Sequence, residues 1–198
     1  MTMDGLRTER LLLRRWQPSD AEPFAELNGD PDVMRHMVAT MTRQQSDQLI
    51  ATIERGFEVD GFGLWAVEVR ATDEPVPAGT FVGFVGLARV PFEAGFTPAV
   101  EVGWRLSRQA WHRGYATEAA RRAIAFGFTE AGLDEIVSFT IPANEASQAV
   151  MQRLGMVPDG TFEHPRLMDG HPKRTHVLYR LDRATWEAQQ AGDAPSQA

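Results

Sequence analysis

The sequence predicts an α/β fold of the α+β kind, in which a central mixed sheet is flanked by helices. Three observations carry this prediction. Residues Val100–Leu106 alternate, with Val100, Val102, Trp104 and Leu106 on one face and Glu101, Gly103 and Arg105 on the other, the period of a half-buried strand. A short loop bearing glycine then leads into Thr117–Phe128, which is rich in helix formers, with acid early and arginines later. Within residues 42–58, Leu49, Ile53 and Phe57 recur every four residues and give a helix one apolar stripe.

The elements follow in order. A strand at Arg10–Trp16 leads into a helix at Ser19–Asn28, for which Ser19 or Asp20 is the expected cap. Asp30-Pro31-Asp32 breaks the pattern. A second helix runs from about Thr42 to Glu58 and opens with Thr42-x-x-Gln45, the spacing of a capping box. Phe62–Arg70 and Thr80–Val90 read as strands of a hairpin joined by a proline-rich turn. After the strand-loop-helix come a strand at Ile136–Ile141, a helix opening at Asn144, and a late hairpin that closes with a strand at His176–Leu181. The order βααβββαβαβ, with room for one further terminal strand, gives a mixed sheet. A single domain is expected over residues 5–185, and residues 190–198 read as a disordered tail.

Composition bounds the function. A length of 198 residues suits one domain with a substantial core, and 43% apolar with 24% charged residues is ordinary globular material. No apolar run reaches membrane-spanning length and the N-terminus has no signal-peptide core, so a cytoplasmic protein without a membrane partner is expected. The absence of cysteine excludes disulfides, thiolate metal sites and a cysteine nucleophile. A formal net charge of −7 argues against nucleic acid as a partner and suits a cationic acceptor. His164, His171 and His176 match no metal-ligand spacing, and no metal is expected.

The turn after Leu106 carries the chemistry. A helix that starts at a small-residue turn presents unpaired backbone N–H groups, and its dipole favours an anion there. Arg113 beside Gly114 adds positive charge. The loop is thus suited to a phosphate or pyrophosphate, although it fits neither classical nucleotide motif.

Arg113-Gly-Tyr-Ala-Thr-Glu-Ala119, the strand Ile136–Pro142 and Asn144-Glu-Ala-Ser-Gln-Ala-Val-Met-Gln-Arg-Leu-Gly-Met156 together resemble the acetyl-CoA-binding core of the GNAT superfamily of N-acetyltransferases. Leu6–Arg15 and Phe81–Leu87 resemble the first and third strands of its ribosomal-protein N-terminal acetyltransferase branch. The resemblance implies that Val100–Leu106 and Ile136–Ile141 are the splayed central parallel strands, with acetyl-CoA as cosubstrate between them. It implies a contact from the Leu106 backbone to the pantetheine arm. N–H groups around Trp104–Leu106 would polarise the thioester carbonyl.

The family's pyrophosphate pattern, Gln/Arg-x-x-Gly-x-Gly/Ala, falls on Trp111-His-Arg-Gly114-Tyr-Ala116. Gly114 and Ala116 match; Trp111 departs. The implied donors are the backbone N–H groups from Arg113 through Tyr115 and Ala116 to Thr117, with the Thr117 hydroxyl. Arg108 or Arg113 would meet the 3′-phosphate unless either is a solvated surface group. Asn144 is an N-cap by position, and Asn144 and Ser147 share a helix face that the resemblance sets beside the arm.

Glu101 resembles the acidic residue that family members use as base, often through a water; a salt bridge to Arg105 is the other reading of it. The family's usual general acid, a tyrosine, corresponds to Met151, so Ser147 is the substitute if the thiolate does not leave unassisted. The acceptor is expected against Arg35, His36 and the late hairpin, including His164. A protein N-terminal α-amine is the leading acceptor class and a small-molecule amine the alternative. A non-catalytic acyl-CoA sensor and a plain structural protein also stay open. Edge strands make a homodimer the expected assembly.

Overall fold

The computed structural model describes residues 5–71 and 73–193. Among them are strands β1 (Leu6–Arg7), β2 (Leu11–Arg14), β3 (Leu64–Val69), β4 (Phe81–Arg89), β5 (Val100–Leu106), β6 (Glu135–Thr140), β7 (Val157–Glu163) and β8 (Thr175–Asp182). The helices are α1 (Ala21–Gly29), α2 (Pro31–Met34), α3 (Arg43–Asp60), α4 (Tyr115–Thr129), α5 (Glu145–Arg153) and α6 (Arg183–Asp193). The strands form one mixed sheet in the order β1-β2-β3-β4-β5-β6-β8-β7. The chain divides into two compact units: residues through Ala88 with Val102–Ala125, and Arg89–Glu101 with the residues from Phe126 onward. The boundary passes through β5, after Glu101.

In the first unit the antiparallel strands pair Leu6 with Leu13, Leu12 with Glu68 and Trp65 with Val85. Leu11, Leu13, Trp65, Val67 and Leu87 are sealed on one face, and Phe24 of α1 packs on Phe84 on the other, so β4 is buried on both faces. The register slips between Val67 and Glu68, opposite Gly83. There φ is +127°, and a Cβ would lie 2.1 Å from the Arg105 carbonyl oxygen, so only glycine lets β5 approach the bulged β4.

Helix α3 begins as its sequence signals: Thr42 Oγ1 accepts from the Gln45 N–H and Gln45 Oε1 accepts from the Thr42 N–H. Gly61 ends it in the left-handed conformation, φ 75°. Two expectations change here. The first strand is split into β1 and β2 by a turn at residues 8–10, and the first helix starts at Ala21 after a 3₁₀ turn over Pro18–Asp20. Asp20 does not cap α1. Its buried carboxylate accepts from the Gln17 N–H and from both terminal nitrogens of Arg14, at 2.7 and 2.9 Å.

In the second unit β6 and β8 pair Ile136 with Leu181 and Phe139 with Leu178, while β7 and β8 pair Phe162 with His176. Strand β7 precedes β8 in the chain, so the extra strand is internal and not the further terminal one for which the sequence left room. Residue Glu101 joins this unit through a parallel pair with Val137, the one β5–β6 register pair among the described residues. Helix α6 docks through Arg183, which donates to the Phe128 and Leu133 carbonyls at 2.5 and 2.6 Å, and through Trp186 against Phe128 at 5.2 Å. This contradicts part of the expected tail: residues 190–193 belong to a helix whose anchoring groups lie far away in sequence. Residues 194–198 lie outside the described residues. No helix among the described residues is long and apolar enough to cross a membrane.

Candidate active site

Helix α4 starts two residues before the position read from sequence. Its first intrahelical bond runs from the Glu118 N–H to the Gly114 carbonyl, 3.0 Å, so the Tyr115, Ala116 and Thr117 N–H groups all precede the ladder. The chain enters this turn with φ of +61° at His112 and +78° at Gly114. For Gly114 the demand is conformational, since a Cβ would meet only Arg10 Nη2 at 3.6 Å. His112 has no such freedom, and a non-glycine residue held there marks a backbone shaped for something other than stability. Sequence reading missed it, because no local pattern announces a positive φ at histidine.

Trp111, the departure from the family pattern, closes the turn from behind. Its Nε1–H donates to the Leu106 carbonyl at 2.9 Å, and the Arg35 guanidinium lies 5.6 Å from its ring centre. With that carbonyl engaged, a Leu106 contact to a ligand falls to its N–H.

Asp73 organises the turn, and nothing in its sequence neighbourhood points to it. Its carboxylate accepts from the Tyr115 hydroxyl at 2.7 Å and faces Arg113 at 3.2 Å and Arg10 at 3.6 Å. The Tyr115 bond, then Arg113 and Arg10, hold its carboxyl below the usual value; burial and that same bond push the Tyr115 phenol up to about 12. Tyr115 is fully buried with Arg10 stacked 4.9 Å from its ring centre. Arg10 also binds Glu118, whose carboxylate accepts from Thr8 Oγ1, the Arg10 N–H and the Arg10 guanidinium at 2.5–3.0 Å. Burial opposes ionisation of Glu118, yet these donors hold its carboxyl low. The acid in the first turn of α4 is thereby neutralised by Arg10, which leaves the positive helix end for an anion.

The two arginines proposed for a 3′-phosphate are otherwise engaged. Arg113 donates from Nε to the Gln109 carbonyl and from Nη1 to the Asp73 carbonyl, both at 3.1 Å. Arg108 faces Asp32 at 2.9 Å and Asp30 at 3.9 Å. Both brace the turn against neighbouring loops, Arg108 against the α1–α2 corner. That corner leads to the exposed Arg35 and the half-buried His36. Arg105 donates from Nη1 to Asn28 Oδ1 at 2.6 Å and contacts Met41 Sδ at 3.8 Å, and Asn28 in turn donates to buried Ser46 at 2.7 Å. Burial pulls the Arg105 guanidinium down to about 10. The groups bound to Arg105 within the first unit are neutral.

In the second unit, burial alone pushes the Glu101 carboxyl up to about 8, although the side chain keeps partial exposure. A carboxyl near neutrality that water still reaches is suited to exchanging a proton. Asn144 caps α5 by accepting from the Ser147 N–H at 3.3 Å, and its amide donates to Thr140 Oγ1 at 2.9 Å. Both ends of its side chain are thus engaged within the turn, and Asn144 shapes the start of α5. Ser147 is half-buried on the same turn. Met151 is sealed in the core at 1% exposure, and the only tyrosine of this unit, Tyr179, is set against Gln152 and Gln148 of α5 at 3.4 and 3.5 Å.

His164 does not sit alone on the late hairpin. It packs 4.6 Å from Phe92 and 5.1 Å from His176, within a group that includes Phe96, Phe139 and Phe162. Burial holds both imidazoles below their usual pKa. Sequence reading named His164 without its aromatic neighbours, which come from four separate segments.

A strand-turn-helix with an open helix N-terminus, on a mixed sheet of this order, defines an α/β protein suited to an anionic ligand. Residues 10–157 match the GNAT acetyltransferase domain, and the chain belongs to that family. It is 32% identical over 195 residues to the FsC-acetyl coenzyme A-N(2)-transacetylase of Aspergillus fumigatus, covering 91% of this chain and 77% of that one. It is 27% identical over 174 residues to the uncharacterized N-acetyltransferase YoaA of Bacillus subtilis, covering 87% and 93%. An acetyltransferase of Agrobacterium tumefaciens shares the fold, with a TM-score of 0.71, 24% identity and coverage of 92% and 96%. The protein is an N-acetyltransferase dependent on acetyl-CoA. The open N-terminus of α4, with its first acid neutralised and a strained turn before it, fits the pyrophosphate of that cosubstrate.

Proposed function

We propose that the protein moves an acetyl group from acetyl-CoA to a protein N-terminal α-amine, by direct attack within a ternary complex. When bound, acetyl-CoA supplies an already activated thioester. The N–H groups of Tyr115, Ala116 and Thr117 and the Thr117 hydroxyl hold its pyrophosphate, and the Leu106 N–H holds the pantetheine arm. Gly114 supplies the backbone shape, while Arg113 and Arg108 keep the turn in place. Glu101 removes a proton from the incoming ammonium, directly or through water, and the free amine forms the C–N bond as the C–S bond breaks. Ser147 passes to the departing sulfur the second proton, which nitrogen gives up as the amide forms, and so ends with its hydroxyl intact.

The observation that carries this reading is the Glu101 carboxyl, raised by burial to the range where a base works at neutral pH. Arg35, His36 and His164 belong to the acceptor side of the reaction. A small-molecule amine is the second reading, favoured by the relative whose name specifies an N(2) acceptor. One assay tests both: peptides with free or blocked N-termini, and amines free in solution, are scored for CoA release. Turnover of free but not blocked peptides supports the first reading; turnover of amines alone supports the second. We also propose that residues 5–185 form the catalytic domain and that edge strands pair it into a homodimer.

A further inference from the structure

The second unit holds six rings on one sheet face with Glu101, and of these the proposed acyl transfer uses only His164, on the acceptor side. Parallel partners point to the same side of a sheet, so Glu101 shares a face with Val137 and, two residues on, with Phe139. Phe139 meets Phe162 at 5.4 Å and His176 at 6.0 Å, and Phe92 meets Phe139 at 5.8 Å. Phe96 packs on Phe162 at 4.9 Å, and His164 joins through Phe92. The opposite face belongs to α5: there Asn144 binds Thr140, and Gln148 and Gln152 meet Tyr179. All six rings keep partial exposure. The loop that carries Phe92 borders an open hollow of about 640 Å³, lined by Val90, Pro91, Glu93, Thr97 and Pro98.

The groups around the rings narrow the occupant. Burial lowers the pKa of both imidazoles. The one charged group stacked on these rings among the described residues is Arg166, 5.9 Å from the Phe92 centre, and it is a cation. Glu163, which acts on His176, and Glu93 at the hollow offset that cation, so charge favours neither sign of side chain here. A ring or branched chain, by contrast, replaces water on aromatic surface at no electrostatic cost.

We propose that this face seats the group adjacent to the acceptor amine, and that the preferred acceptor is a primary amine carrying an aromatic or large apolar side chain. This rests on the acyl-transfer reading and names its acceptor chemistry. The same chemistry is offered by a peptide beginning with Phe or Leu and by a free arylalkylamine.

The test measures kcat/KM from CoA release for four acceptors: a peptide amide beginning with Phe, its counterpart beginning with Ala, phenethylamine and spermidine. The ring-bearing acceptors should exceed the others by about tenfold to a hundredfold, the discrimination an apolar pocket achieves. Which ring-bearing acceptor is faster separates the peptide source from the free amine. Phe162→Ala and the milder Phe162→Leu should raise KM for ring-bearing acceptors by about tenfold and a few-fold, and leave the Ala peptide within twofold. Spermidine as the best acceptor, equal rates for all four, or a uniform loss in both variants overturns the proposal while leaving acyl transfer intact. A variant that changes only the oligomeric state overturns it as well, because the face would then be an interface. No CoA release from any acceptor refutes acyl transfer itself, and this proposal with it.

Discussion

Replacing Glu101 by Gln should raise stability at alkaline pH while removing activity, and the two effects share one cause. Burial lifts this carboxyl from 4.5 to about 8. Between those values the unfolded chain has lost its proton and the folded chain keeps it, so the unfolded state binds fewer protons and stability falls as pH rises. The contribution is complete below about 4.5 and lost as pH climbs through about 8. At 1.36 kcal/mol per pH unit, the span sets a ceiling of about 5 kcal/mol. Water reaches the half-buried side chain, which brings the expected figure to about 2–3 kcal/mol. Glutamine cannot ionise. Urea unfolding of the two proteins should therefore agree near pH 4.5 and favour the variant by about 2–3 kcal/mol at pH 9. His164 and His176 titrate in both proteins and cancel in the difference. Activity of the unaltered enzyme should rise with pH toward about 8 and then level, while the variant stays low throughout. A stability difference independent of pH, or a variant less stable at pH 9, would refute the assignment of Glu101 as a buried carboxyl near neutrality.

Two further perturbations address the turn and the sheet. Asp73→Asn weakens the bonds that place Tyr115, Arg113 and Arg10, so KM for acetyl-CoA should rise several-fold with a smaller change in kcat. An unchanged KM would show that the turn holds its shape without this hub. Gly83→Ala forces a Cβ to within 2.1 Å of the Arg105 carbonyl oxygen, at a φ that alanine resists. Strain and displacement of β5 should cost about 3 kcal/mol or more, read by urea unfolding; a loss under 1 kcal/mol would contradict the close approach of these strands.

How far the sequence reached depends on the range of the interactions concerned. Local signals served well: the Thr42–Gln45 box starts α3, Asn144 caps α5, and the β3–β4 hairpin lies within the segments that alternate. Misreadings came where a distant group decides. Asp20 looks like a cap but answers to Arg14 across the 3₁₀ turn. Helix α6 holds to Phe128, Leu133 and Gly155, none near it in sequence, and so its last turn, residues 190–193, reads as tail by composition. Equally hidden are the pairings of Arg108 with Asp32 and of Arg113 with Asp73, 76 and 40 residues earlier in the chain. The glycine of the anion turn was legible, since the pattern carries it. The strained His112 was not, and neither was the ring cluster, whose members are scattered from Phe92 to His176.

The central claim is that the turn from His112 to Thr117 holds the pyrophosphate of acetyl-CoA. Its most direct test is calorimetric titration of acetyl-CoA into the protein and into Gly114→Val, with unfolding of both followed to confirm that the variant is folded. A β-branched residue at φ +78° should distort the turn, and affinity should fall by tenfold or more while the fold persists. Equal affinity in the two folded proteins, or no binding to the unaltered one, would contradict the account.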